Sequence, residues 1–113
     1  VVNSRSKGAR GEREFAHEIE RVFPGVEARR GVQHAGGPDS PDVVHSLPGI
    51  HFEVKRTERL QIRKAVAQAE DDCGDRVPAV AHRWNNGRWY LIVPFEDLPA
   101  VATNVYLSMA ENA

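Results

Sequence analysis

A chain of 113 residues has room for one hydrophobic core and one domain, and its 41% hydrophobic against 27% charged residues is the balance of a soluble globular protein. No apolar run approaches the roughly 20 residues that span a bilayer, the opening carries no signal-peptide pattern, and the single Cys73 rules out an intrachain disulfide or a cysteine-based zinc cluster, so a reducing, cytoplasmic setting with no membrane contact is expected. The net charge of -1 conceals an asymmetry: Lys and Arg outnumber Asp and Glu by 12 to 9 in residues 1–64 and fall short by 3 to 7 in residues 65–113, so a nearly neutral chain can still turn one basic face toward a polyanion.

Taken in order, residues 1–6 show no pattern and are expected to be flexible. Lys7-Gly8-Ala9-Arg10-Gly11 leads into a helix over residues 10–23, stopped by Pro24-Gly25. Its apolar residues Phe15, Ala16, Ile19, Val22 and Phe23 recur at helical spacing. Glu12 falls in the middle of that stripe, whereas Glu14, Glu18 and Glu20 lie outside its centre. A carboxylate in line with a buried stripe is costly without a partner; the plain alternative is an exposed first-turn glutamate favoured by the helix dipole. Residues 26–33 read as a strand bearing Arg29 and Arg30, and residues 34–40 as a glycine-rich loop.

Two short apolar strands follow, Pro41-Asp42-Val43-Val44 and His51-Phe52-Glu53-Val54-Lys55, joined by a Leu47-Pro48-Gly49 turn and expected to form a hairpin. A helix over residues 60–72 carries Ile62, Val66, Ala69 and Cys73 on its apolar side and a rim of Arg59, Arg63 and Lys64; Gly74-Asp75 ends it. Strands over 78–84 and 88–93 meet at Asn85-Asn86-Gly87, where Asn-Gly is a strong hairpin signal. Trp84 and Trp89 flank that turn as cross-strand packing residues. Leu98, Val101, Val105 and Met109 predict a last amphipathic helix. The order α-β-β-β-α-β-β-α implies an α/β fold, a mixed sheet flanked by helices, with the acids near its middle.

Those acids carry the chemistry. Residues two apart on a strand share a face, so Glu53 and Lys55 point one way with His51, and Phe52 and Val54 the other. Asp42 meets them if the two strands pair. Two acids and a lysine on one sheet face fit a divalent metal and a phosphodiester, and the spacing is that of the PD-(D/E)XK nucleases; taken alone it also fits a solvated edge hairpin. Hard oxygen ligands such as Asp42 and Glu53, with the Val54 carbonyl between the charged side chains, suit Mg²⁺, with Mn²⁺ as a substitute. Lys55 reads as the anchor for the attacking water or a phosphate oxygen.

The joint pattern is more specific. Lys7-Gly8-Ala9-Arg10-Gly11-Glu12-Arg13-Glu14 resembles the Lys-Gly-x-x-x-Glu-Arg entry of archaeal and phage Holliday junction resolvases. The arginine-bearing strand, the glycine-rich loop before Pro41-Asp42, and Glu53-Val54-Lys55 are similar as well, over residues 7–93; the last helix lies outside the likeness. The resemblance implies a restriction-endonuclease-like fold and a metal site that Glu12 joins beside Asp42 and Glu53. It places Gln68 near that site and implies cuts leaving 5′-phosphate and 3′-hydroxyl ends. It also implies a homodimer acting on branched DNA, four-way junctions above all. Arg10, Arg13, Arg29, Arg30, Arg56, Arg59 and Arg63 are candidates for backbone phosphates, though each singly also fits a solvated surface arginine. Asp39, in Pro38-Asp39, competes with Asp42, which is favoured by its place at a strand start. His34 and Ser40 offer no secure match for the loop serine of some resolvases, while His17, His45 and His82 read as surface or packing residues. Open alternatives are a nuclease for flaps or duplexes, a silent DNA-binding module, and a structural domain. A junction needs two symmetric cuts and the chain has one set of acids, so a twofold dimer is expected, built partly on the C-terminal helix unless that helix only caps its own sheet.

Overall fold

In a computed structural model, which describes residues 4–31 and 42–111 and the side chains from Gly8 onward, the elements follow the expected order. Helix α1 spans Ser4–Val22, strand β1 Ala28–Arg30, β2 Val43–His45 and β3 Ile50–Arg56. Helix α2 spans Ile62–Asp72, β4 Val77–Arg83 and β5 Tyr90–Ile92, and a 3-10 turn at Phe95–Asp97 leads into α3, Leu98–Glu111. The first helix starts earlier than its apolar stripe, because residues 4–10 contain no proline, and Pro24-Gly25 ends it, with Gly25 left-handed at φ 85°. The glycine-rich loop with His34, Asp39 and Ser40, and Pro41 after it, lie outside the described residues.

The strands form a three-stranded mixed sheet, in the order β3-β4-β5, and a separate two-stranded one. β3 pairs parallel with β4 from Ile50↔Val77 to Arg56↔Arg83, and β4 pairs antiparallel with β5. The Asn-Gly turn is present, Asn86 holding the left-handed conformation at φ 63°. β1 and β2 pair antiparallel with each other in a separate ladder. The expected hairpin between β2 and β3 is therefore corrected: β2 is a partner of β1. Backbone bonds at both ends hold β2 on β1: the Ser46 N–H donates to the Glu27 carbonyl at 2.9 Å and the Gly31 N–H to the Asp42 carbonyl at 2.8 Å. His45 Nδ1 accepts from the Leu47 N–H at 3.1 Å and its Nε2 donates to the Ile50 carbonyl at 2.9 Å, so the ring occupies backbone groups at the start of β3. Burial lowers the pKa of that ring, keeping it neutral in this role. The acids are likewise not at mid-sheet, since β3 is an edge of the order β3-β4-β5.

Period-two alternation on β3 divides the core. Ile50, Phe52 and Val54, with Ala79 and Ala81 of β4, pack against Phe15, Ala16 and Ile19 of α1. Phe15 meets Phe52 edge-on at 5.0 Å and Trp89 at 4.9 Å, so Trp89 is a core residue; Trp84 stacks on Tyr90 across the hairpin. Val80 turns to the opposite face, against Ala65 and Ala69 of α2. That contact is built on small residues, and it corrects the expected stripe: Ala65 is buried, and Ile62 in the first turn is 56% exposed. On α3 only the centre of its stripe is covered. Val101 and Val105 pack on the α1 side of the core, and Ser108 is buried, while Leu98, Tyr106, Leu107 and Met109 remain exposed.

Helix α1 seats closely on β3 at Gly11, where a Cβ would lie 2.5 Å from Arg56 Cβ. Beside it, Glu14 accepts from Arg56 Nε at 3.1 Å and Arg83 Nη1 at 3.2 Å, clamping the ends of both parallel strands. Gly8 meets nothing within 4 Å. Alanine usually stabilises a helix interior over glycine by about 1 kcal/mol, so Gly8→Ala is expected to raise the melting temperature. Gly11→Ala is expected to lower it, because overpacking at a well-filled contact costs about 1–3 kcal/mol. Thermal unfolding of the two variants checks this, and equal stabilisation by both would contradict the close seating.

Candidate metal centre

The pleat of β3 brings His51, Glu53 and Lys55 to the α2 face. His51 and Glu53 are 3% and 4% exposed, in a strand where a charge has no solvent to turn to. Lys55 Nζ lies 3.6 Å from Glu53 Oε2 and donates to Gln68 Oε1 at 2.8 Å. Gln68 thus holds the lysine beside the acid, the neighbourhood in which the sequence placed it.

Asp42 reaches β3 through its side chain instead of through strand pairing: its Oδ2 accepts the Val54 N–H at 2.8 Å. The N–H and C=O of one strand residue point to the same edge, so the Val54 carbonyl also faces the Asp42 side. Glu12, buried as its place on the α1 stripe predicts, accepts from Arg30 Nε at 2.9 Å. Burial and the neighbouring carboxylates raise the proton affinity of two of these acids, Asp42 and Glu12. Asp42 is pushed up to about 7, first by burial and then by Glu53 and Glu12, against the Val54 hydrogen bond and His51. Glu12 is raised by burial and by Glu53, against Arg30 and Arg13.

A further carboxylate joins from α2. His51, Glu53 and Asp72 each offer one ligand atom, and these atoms all lie within 4.8 Å of one another. Asp72 was missed in the sequence, where Asp71-Asp72 reads only as a helix end. The signal was its position four residues after Gln68, one turn along the same helix face.

The basic candidates divide. Arg10, Arg13, Arg29, Arg59 and Arg63 are exposed; Arg30 is engaged by Glu12, and Arg56 is half-buried and held by Glu14. His17 is exposed, and His82 bonds the Thr57 carbonyl at 2.8 Å, both as expected of surface or packing histidines. A hollow of about 550 Å³ lined by Glu20, Arg29, His45 and Ser46, among others, shares no residue with the carboxylates. Among the described residues no helix is long and apolar enough to cross a membrane.

No family model matches this chain, and no curated protein or solved structure is significantly similar to it. The site therefore rests on its own chemistry. Asp42 and Glu12, whose ionisation is opposed by burial and by Glu53, fit a divalent cation, which would favour their charged forms; without one, Asp42 stays half protonated near pH 7.

A raised carboxyl pKa in the fold means that Asp42 stabilises most in its protonated form, below about pH 4, and that this contribution is lost as pH rises toward and through about 7. In EDTA, the wild-type melting temperature is therefore expected to fall relative to that of Asp42→Asn between pH 5 and pH 8. Added Mg²⁺ is expected to raise the wild type more at pH 8 than at pH 5. A difference between the two proteins that does not change with pH would show that Asp42 is not the strained group.

Proposed function

We propose that this chain is a metal-dependent endonuclease of the PD-(D/E)XK kind, acting on branched DNA with four-way junctions as its substrate. The observation that carries the reading is the convergence of Asp42, Glu53 and Glu12 at the edge of β3, with Lys55 Nζ 3.6 Å from Glu53. That combination is unfavourable for a purely structural strand. It suits a reaction in which charge develops on a phosphate.

Asp42, Glu53 and the Val54 carbonyl would hold Mg²⁺, with Glu12 completing the set and Mn²⁺ as a substitute. Bound there, the ion would acidify a water and offset charge on the phosphate. Lys55, kept in place by Gln68, positions the attacking water or a phosphate oxygen as a fixed positive charge. Water attacks phosphorus in line, the bond to the 3′-oxygen breaks, and that oxygen takes up a proton, leaving 5′-phosphate and 3′-hydroxyl ends. The exposed Arg10, Arg13, Arg29, Arg59 and Arg63 hold backbone phosphates and bring affinity without sequence reading. Arg30 and Arg56 act differently in this scheme, the first steadying Glu12 and the second anchoring β3 to α1.

Cleavage of a labelled immobile junction beside a matched duplex, in Mg²⁺ and in EDTA, tests the proposal. Cutting is expected in Mg²⁺ alone and on the junction; preferred cutting of duplex or flaps would keep the nuclease and change its substrate. Asp42→Asn and Glu53→Gln are expected to lose at least about 100-fold in rate while retaining junction binding, and Glu12→Gln about 10- to 100-fold. Wild-type rates in the first two would remove the proposed centre.

Two symmetric cuts require two sites, and we place them in a twofold homodimer. The uncovered Leu98, Tyr106 and Leu107 of α3, with Phe95 before it at 86% exposure, supply an apolar face for that contact. Light scattering at micromolar concentration is expected to give twice the chain mass, and Tyr106→Glu with Leu107→Glu to halve it. A monomeric wild type would count against junction resolution, and an unaffected dimer would place the interface elsewhere.

A further inference from the structure

The donor atoms around Glu53 fall into two groups of different chemistry. Toward the edge of β3 they are all oxygen: Asp42, the Val54 carbonyl and Glu12. Toward α2 they include a nitrogen, because His51 shares the pleat face with Glu53 and Asp72 approaches from the last residue of the helix. Glu53 belongs to both.

His51 is the unusual member. It is 97% buried, yet Nε2 has no hydrogen-bond partner. The nearest acid oxygen recorded for it, Glu53 Oε1, is 3.8 Å away, too long for a hydrogen bond. A buried ring nitrogen left in this state costs about 1–3 kcal/mol. His45 and His82, by contrast, bond backbone carbonyls through their Nε2 atoms. Two atoms ligating one ion at about 2.1 Å each stand no more than about 4.2 Å apart. The His51–Glu53 separation already lies within that span. Asp72, partly exposed at the helix end, has the side-chain freedom to close the remaining edges.

We propose that His51, Glu53 and Asp72 form a second cation position that takes a first-row transition ion, Zn²⁺ or Mn²⁺, in preference to Mg²⁺. One imidazole and two carboxylates suit such ions, whereas Mg²⁺ favours oxygen alone. Glu53 joins this position to the oxygen-lined one of the proposed nuclease. The inference rests on that reading only in sharing this residue, since ion binding is measured without cleavage. Functionally, Zn²⁺ in this pocket would engage Glu53 and compete with its role beside Asp42.

Calorimetric titration of the full chain with Zn²⁺, in excess Mg²⁺, tests the assignment. Wild type is expected to bind Zn²⁺, with affinity at least about tenfold weaker in His51→Gln and in Asp72→Asn but within about threefold in Asp42→Asn. Asp72 lies at a partly exposed helix end, so Asp72→Asn decides the matter if His51→Gln does not fold. No Zn²⁺ binding by the wild type, or binding unchanged in Asp72→Asn, overturns the second position. A chain that cuts junctions in Mg²⁺ but binds no Zn²⁺ here loses only this inference. One that binds Zn²⁺ through His51 and Asp72 and cuts no DNA loses only the nuclease reading.

Discussion

Asp42 holds two ladders together, and the geometry of the site depends on that junction. Its backbone carbonyl accepts the Gly31 N–H at 2.8 Å, extending the β1–β2 pair, while its side chain accepts the Val54 N–H at 2.8 Å on the edge of β3. A sheet edge needs partners for its outward backbone groups, and here a carboxylate supplies one where a neighbouring strand would otherwise run. A neutral amide side chain could accept the same hydrogen bond. The carboxylate adds a charge that burial and Glu53 oppose, so the needs of the edge alone do not explain it.

Helix α1 divides two tasks between glutamates two positions apart. Glu14 takes the guanidinium groups of Arg56 and Arg83 at the ends of β3 and β4, fixing the helix to the main sheet. Glu12 takes Arg30 on β1 and stands among the acids. The missing side chain at Gly11 lets the helix approach closely enough for both. A shift of α1 away from β3 would therefore loosen the clamp at Glu14 and withdraw Glu12 from Glu53 together. Stability and the completeness of the carboxylate cluster are coupled through one helix–strand contact.

This division also explains what the sequence made legible. Periodicity located the three α-helices, and apolar runs between turn signals located the strands, because apolar spacing reports which face is buried. It also put Glu12 on the buried stripe and His51, Glu53 and Lys55 on one face. Pairing was less accessible. β2 has three residues, too few for its alternation to choose between β1 and β3, and the bonds that hold it on β1 join residues more than ten positions apart. Glu14 lay outside the centre of the α1 stripe, and helical spacing could not show its partners, which lie 42 and 69 residues away. For Asp72 the spacing from Gln68 gave the helix face, but only the packing of α2 across β3 brings that helix-terminal acid to His51 and Glu53.

The same long-range pairing changes the meaning of the charge count. The excess of basic residues in the first 64 positions suggested a face for a polyanion, but Arg30 and Arg56 are committed to glutamates within the fold. The exposed arginines that remain compete with Glu12, Asp42 and Glu53, whose negative charge repels a phosphate. A cation between those acids would cancel that repulsion and, in the proposed nuclease, leave the arginines to act. In the proposed nuclease, ion binding and DNA binding would then be one linked equilibrium: Asp42 and Glu12, whose ionisation burial opposes in the metal-free fold, would make attraction for a phosphate conditional on the ion.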